Sequence, residues 1–240
     1  MQTPSPDPRL TAARVLVIGV GGLGSPAATA LAAAGVGTLG LVDPDVVEPS
    51  NLHRQPLYAT ADVGRPKVEV AAARLRERFP TTRVEARRAR FGAGDVALAR
   101  GFAVLLDGTD TIAAKFVVND VAVAAGVPLV HAGVLGFRAQ LLTVLPHASA
   151  CYRCLFEEAP PPGEVPSCEE AGILGPTAAL AGALQAAEAL RILGGAGPAW
   201  AGRLLTIDTL AGRWRTAPLA ANPRCTACAA AHAAGRREAS

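Results

Sequence analysis

Residues 15–34 constrain the fold more than any other part of the chain. A β-branched apolar run at 15–18 ends in Gly19-Val20-Gly21-Gly22-Leu23-Gly24, and an Ala-rich stretch at 25–34 follows at once. A strand that enters a helix through G-x-G-x-x-G uses its glycines for a tight turn and for close approach of the backbone to a ligand. The unpaired N–H groups at the helix start, with the positive end of its dipole, make that turn a cradle for phosphate. The alternation continues: strand-length runs at 39–42, 104–106 and 129–130 flank helical stretches at 66–79 and 113–125. This pattern predicts an α/β fold, a Rossmann-like sheet that is parallel in its first half and carries helices on both faces.

The stretch at 66–79 is the best-marked helix. Pro66 follows Gly64 and suits a first helical position; Val68, Ala72, Leu75 and Phe79 recur on one face, while Arg74, Glu77 and Arg78 face water. From about residue 140 the character changes. An extended run (140–145), a cysteine pair, a segment at 159–166 with four prolines, a long helix near 177–193, a strand at 203–207 and a second cysteine pair follow. The 240 residues read as one domain with a nucleotide-binding half over about 12–138, a second half over about 139–230 and a flexible tail at 231–240.

Composition removes several classes. With 50% hydrophobic and 18% charged residues the chain is not intrinsically disordered. A net charge of +3, with basic residues scattered among acids, gives no stripe for nucleic acid. The most apolar long stretch, 173–193, holds Pro176, Gln185, Glu188 and Arg191, so it reads as a core helix and not as a membrane span. No charged and apolar leader pattern opens the chain. The expectation is a cytoplasmic protein whose five cysteines are metal ligands or reactive thiols rather than disulfides.

Asp43 ends the second strand, 19 residues beyond Gly24, where a carboxylate accepts hydrogen bonds from a ribose. The glycine motif by itself admits either a dinucleotide or ATP. A dinucleotide pyrophosphate brings about two negative charges, whereas ATP brings about four and calls for added cations and a metal. This sequence supplies cations: Ser50-Asn51-Leu52-His53-Arg54-Gln55 follows the second strand, and Lys67, one of only two lysines, opens the next helix. Asp110, after the 104–106 strand, is placed to hold Mg²⁺ or to stand beside the reacting phosphorus.

Cys151-x-x-Cys154 and Cys225-x-x-Cys228 form two pairs, the ligand set of a structural, four-coordinate Zn²⁺ site, with redox pairs as the other reading. Cys168 is left over beside the Pro-rich segment. It is either a nucleophile or sulfur acceptor, or a bystander whose acidic neighbours Glu169 and Glu170 suppress its thiolate.

Taken together, these residues resemble the MoeB/ThiF adenylyltransferases of the ubiquitin-activating-enzyme-like superfamily, from about Arg14 to Cys228. The motifs that carry the likeness are the glycine loop, the Val42-Asp43-x-Asp45-x-Val47-x-x-Ser50-Asn51-Leu52-x-Arg54-Gln55 block, Gly64-x-Pro66-Lys67, Thr109-Asp110, Cys168-x-x-Ala171-Gly172 and the two C-x-x-C pairs. The resemblance implies ATP-dependent adenylation of the C-terminal glycine of a small ubiquitin-fold sulfur carrier (MoaD/ThiS type) ending in Gly-Gly. Pyrophosphate is released, and a thiocarboxylate can then form for molybdopterin, thiamine or related products. It implies a catalytic set of Arg54, Lys67, Asp110 and Cys168. Gly19, Gly21, Gly22, Gly24, Asp43, Asp45, Ser50, Asn51, Gln55 and Thr111 would complete the ATP site. Mg²⁺, Zn²⁺, a homodimer and a sulfurtransferase partner are implied too, with no nucleic acid and no membrane. The chain departs from the family pattern in two places: some 14 residues precede Val15 where an Arg-bearing helical arm is usual, and Thr111 stands where Asn is common. The competing readings are a carrier-independent adenylating enzyme, an NAD-dependent dehydrogenase and a non-catalytic carrier-binding subunit.

Overall fold

A computed structural model describes residues 7–161 and 172–229. Its eight strands form one sheet in the order β3-β2-β1-β4-β5-β6-β7-β8. They are β1 (Arg14–Ile18), β2 (Thr38–Val42), β3 (Arg83–Arg87), β4 (Val104–Asp107), β5 (Leu129–Leu135), β6 (Arg138–Val144), β7 (Arg203–Asp208) and β8 (Arg213–Pro218). Pairing is parallel from β3 through β5 and antiparallel from β5 through β8. The helices are α1 (Pro8–Ala12), α2 (Gly24–Ala33), α3 (Lys67–Arg78), α4 (Val96–Ala99), α5 (Ile112–Ala125), α6 (Tyr152–Leu155) and α7 (Gly175–Leu193).

Alternation along the inner strands explains the layers. On β1, Val15 and Val17 join α2, α3 and α7 residues in one apolar layer, while Leu16 and Ile18 join α5 and the cysteine region in the other. Both faces are covered, so the inner parallel strands are apolar throughout rather than alternating with polar residues. Burying each large aliphatic side chain contributes roughly 1.5–3 kcal/mol. β1 leads to β2 on one side, and β4 lies on its other side; β1 and β4 therefore flank the switch point where open sheets of this type bind ligands.

Two strands lie outside the sequence expectations, and both are sheet edges. β3 reads Arg-Val-Glu-Ala-Arg with Val84 as its single buried residue, and every residue of β8 is exposed. Charge along an edge blocks further pairing and also removes the apolar run that marks a strand. Pro66 turns out to be the N-cap of α3 and not its first residue, with ψ at 128°. Arg74 does not simply face water: it reaches Asp62 and the Leu57 carbonyl from α3.

Candidate functional site

The glycine loop is shaped by what it must pass. At Gly19, φ is +82° and a Cβ would stand 2.8 Å from the Gly108 carbonyl oxygen; at Gly24 a Cβ would stand 1.8 Å from the Gly19 oxygen. Gly19 and Gly24 thus let β1, α2 and the end of β4 cross. Gly24 packs against the Gly19 carbonyl and is not among the residues that line the cleft. Gly21 and Gly22 line it. The loop is fixed from below: Tyr58 Oη donates to the Val20 carbonyl at 2.7 Å, and Asp43 Oδ2 accepts from the Val20 amide at 2.8 Å. Asp43 Oδ1 accepts from the Asp45 amide at 2.8 Å. Burial raises the Asp43 pKa above the usual carboxylate value, opposed by Lys67 and by these two amides.

The cleft beside the loop holds about 340 Å³ and lies at the carboxyl ends of β1, β2 and β4. Asp43, Asp45, Asn51, Arg54, Gln55 and Lys67 line it from the β2 side, and Asp110 and Thr111 from the β4 side. Arg54 is aimed by its neighbours, donating from Nη2 to Asn51 Oδ1 and from Nη1 to the Ser50 carbonyl, both at 3.1 Å. Ser50 is not among the lining residues; its hydroxyl contacts Asn51 Nδ2 at 3.0 Å and its carbonyl accepts from Arg54. Gln55 donates to Asn51 Oδ1 at 3.0 Å, while its buried Oε1 has no hydrogen-bond partner among the described residues.

Lys67 is buried at the first turn of α3, 3.2 Å from the exposed carboxylate of Asp45. A cation there opposes the helix dipole, which increases the gain from a second, anionic partner in the cleft. Thr111 caps α5, its hydroxyl accepting from the Ala114 amide at 3.3 Å. A second helix start therefore opens onto the same cleft as α2. The arrangement offers backbone donors, two helix dipoles and two cations to a phosphate chain, with carboxylates for a metal or a ribose.

Sequence reasoning missed part of this site. Arg90, three residues beyond β3, lines the cleft, and so do Lys115 and Thr109, the latter named in the sequence only as part of the Thr109-Asp110 motif. Lys115 stood out only as one of two lysines, with nothing in the sequence to place it at the cleft. Arg90 carried no signal among so many arginines.

The four paired cysteines converge on the other side of the sheet. Their Sγ atoms all lie within 4.8 Å of one another, with spacings of 4.0 Å (151–154), 3.6 Å (151–225) and 3.4 Å (154–228). A tetrahedral ion with Zn–S near 2.3 Å requires sulfurs about 3.8 Å apart, so this donor set fits Zn²⁺. The Asn222 amide donates to Cys154 Sγ at 3.3 Å, as expected around a thiolate. Cys168 lies outside the described residues.

An open α/β sheet with a glycine loop, two helix starts and paired cations at its switch point defines a nucleotide-binding α/β protein of the Rossmann-like type. More narrowly, the chain belongs to the ThiF family, whose model matches residues 7–227. It is 45% identical over 231 residues to a sulfur carrier protein adenylyltransferase of Thermus thermophilus, covering 94% of this chain and 85% of that one. It is 44% identical to the SAMP-activating enzyme E1 of Haloferax volcanii, covering 94% and 83%. The bovine adenylyltransferase and sulfurtransferase MOCS3 is 46% identical over 222 residues, 92% of this chain and 49% of the relative. In fold the chain matches E. coli MccB solved with ATP, with a TM-score of 0.81 and 24% identity over 92% of this chain and 68% of that one.

Proposed function

We propose that this protein is an ATP-dependent adenylyltransferase that activates the C-terminal glycine of a small ubiquitin-fold sulfur carrier ending in Gly-Gly. The observation that carries this reading is the convergence of Arg54, Lys67 and Asp110 on the glycine loop at the sheet's switch point. In the reaction a carboxylate oxygen of the carrier attacks the α-phosphorus of ATP. The new C–O–P bond forms as the bond to the β-phosphate breaks, and pyrophosphate carries away the electron pair. Two anions must meet, so the work falls to charge neutralisation and alignment. A general base is not required, because a carboxylate is ionised at neutral pH.

Gly21, Gly22 and the α2 N-terminus would cradle phosphate, with Arg54 and Lys67 on the triphosphate and Asp43 on the ribose. Asp110 would hold Mg²⁺ or face the α-phosphate, and Thr111 presents the α5 start to the same region. Cys151, Cys154, Cys225 and Cys228 would hold a structural Zn²⁺ with no open coordination position. A homodimer, a sulfurtransferase that supplies sulfur to the adenylated carrier, covalent use of Cys168 and a cytoplasmic setting belong to the same reading. Among the described residues no helix is long and apolar enough to cross a membrane.

The test is ATP–pyrophosphate exchange. Exchange that depends on a carrier ending in Gly-Gly, and that Asp110→Ala abolishes, is the expected result. No exchange, or exchange indifferent to Asp110→Ala, overturns the proposal. Carrier-independent exchange would point to an enzyme that adenylates another carboxylate, and preference for NADH over ATP would point to a dehydrogenase.

A further inference from the structure

A buried polar cluster lies directly beneath the Asp110 loop. Asp107, at the end of β4, is fully buried, and its carboxylate has close contacts with three residues, Thr109, Lys115 and His131. Its Oδ1 accepts from the Thr109 amide at 2.9 Å and from Thr109 Oγ1 at 2.6 Å. Its Oδ2 lies 3.4 Å from Lys115 Nζ and 2.7 Å from His131 Nδ1, the latter a close polar contact rather than an aligned hydrogen bond. Lys115 also donates to the Thr109 carbonyl at 2.7 Å and to the Ala132 carbonyl at 2.6 Å. Thr109 is therefore held at its amide, its hydroxyl and its carbonyl, all by this cluster, and Asp110 is the next residue. The three N–H groups of Lys115 are taken up by protein oxygens, so although it lines the cleft it has no spare donor for a ligand.

The cluster reaches the cysteine site as well. The His131 ring lies 4.3 Å, centroid to centroid, from the ring of Tyr152, which sits between the ligand candidates Cys151 and Cys154. The Tyr152 amide donates to Asn119 Oδ1 on α5 at 2.8 Å, and Arg153 pairs with Asp120 on α5 at 2.8 Å. The helix that starts at the Asp110 loop is thus fastened at its middle to the segment that holds the first cysteine pair.

We propose that Asp107, Lys115 and His131 are positioning residues for Asp110, and that Tyr152 joins them to the four-cysteine site so that an ion bound there sets the Asp110 loop. None of the three touches the reacting atoms. They act by fixing where Asp110 stands. Burying an aspartate, a lysine and a histidine together costs desolvation energy that an apolar core would avoid. Here Asp107 and Lys115 together make three hydrogen bonds to Thr109, in the loop that carries a cleft carboxylate, and Lys115 also ties that loop to β5 through the Ala132 carbonyl. This inference rests on the reading of the cleft as the nucleotide site.

The test uses His131→Phe, which keeps an aromatic ring against Tyr152 but removes the polar contact of Nδ1 with Asp107, beside His131→Asn, whose amide can restore a polar group facing Asp107 Oδ2. Amide hydrogen exchange on the full, metal-loaded chain without nucleotide is read at Thr109 and Asp110. Faster exchange there in His131→Phe by about tenfold, restored in His131→Asn, and a similar loss in the wild type after chelation support the proposal. Unchanged protection at Thr109 in both conditions overturns it. In pyrophosphate exchange, His131→Phe should lower kcat by roughly 10- to 100-fold with KM for ATP within about threefold, the pattern of a misplaced group that acts in the transition state. Equal rises in KM for ATP and for carrier, with kcat intact, also overturn it. If the wild type neither exchanges pyrophosphate nor binds ATP while Thr109 protection still falls in His131→Phe, the nucleotide reading fails alone and the positioning link stands.

Discussion

The sheet is built differently on the two sides of β5. From β3 to β5 the strands run parallel, with helices on both faces, and every cleft cation comes from a loop or helix start after a strand. From β5 to β8 they run antiparallel, the last strand is exposed throughout, and the chain is gathered at the cysteine quartet. The first side gains its order from apolar burial on two faces and can leave its loop ends free for chemistry. The second has a smaller apolar cluster around Leu141, Leu205 and Ile207, and its chain after β8 brings Cys225 and Cys228 against Cys151 and Cys154. An ion held by the four cysteines would contribute directly to folding on the side with the smaller apolar cluster.

The comparison breaks most visibly at the cysteines. Cys225→Ser, or chelation of the wild type, should cost at least about 4 kcal/mol in urea unfolding, the exceptional range for a point change. Fluorescence of Trp200 and Trp214 should report the antiparallel side loosening before helix signal from the parallel side is lost. Coincident transitions would show instead that the sheet unfolds as one unit. Next in size is Asp110→Ala, expected to lower kcat for pyrophosphate exchange by roughly 10²–10³ with the melting temperature little changed. A large fall in stability would mean that Asp110 belongs to the frame and not to the chemistry.

The two edges sharpen the contrast on a smaller scale. Val84→Ala on β3 removes a buried side chain and should cost about 2 kcal/mol. Trp214→Ala on β8, where the ring is 53% exposed, should stay within about 0.5 kcal/mol by the same denaturant measurement. A larger loss at Trp214 would show that β8 is covered in solution.

The smallest expected effect concerns pH. Burial holds the His131 pKa below its ordinary value despite the attraction of Asp107. Between about pH 7 and 5 the unfolded chain therefore takes up a proton that the folded chain refuses, and stability falls as pH falls. His131→Phe should flatten that slope in melting experiments. The Asp107 carboxyl is opposed by burial but held well below the usual range by Lys115, His131 and Thr109. Its contribution is thus intact above about pH 4 and is lost only in stronger acid.

The sequence revealed the elements whose signals are local. The runs at 15–18, 39–42 and 104–106 fall within β1, β2 and β4, and the extended run at 140–145 overlaps β6. The edge strands escaped because their residues alternate charge instead of apolar character. The glycine loop, Asp43, Arg54, Lys67, Asp110 and the cysteine quartet were legible because each sits at a fixed offset from a strand end or from a partner in a short motif. Lys115 and His131 were not, since their partners come from different strands and only the folded sheet brings them to Asp107. Ser50 and Gly24 show the reverse limit: a motif names residues that belong together without telling which of them line the cleft.

Helix α7 comes late in the chain yet completes the early half. Gly182 passes so near α2 that a Cβ there would stand 2.2 Å from the Leu23 carbonyl oxygen, and Gln185 donates to the carbonyls of Asp107 and Val130 at 2.8 and 2.9 Å. During synthesis the strands that frame the cleft emerge well before this cover does. A ribosome-bound chain ending near residue 150 would still show the bare side of α2 to solvent and leave the Asp107 carbonyl without its donor. A fragment cut at that point is therefore a poor choice for expressing the cleft alone.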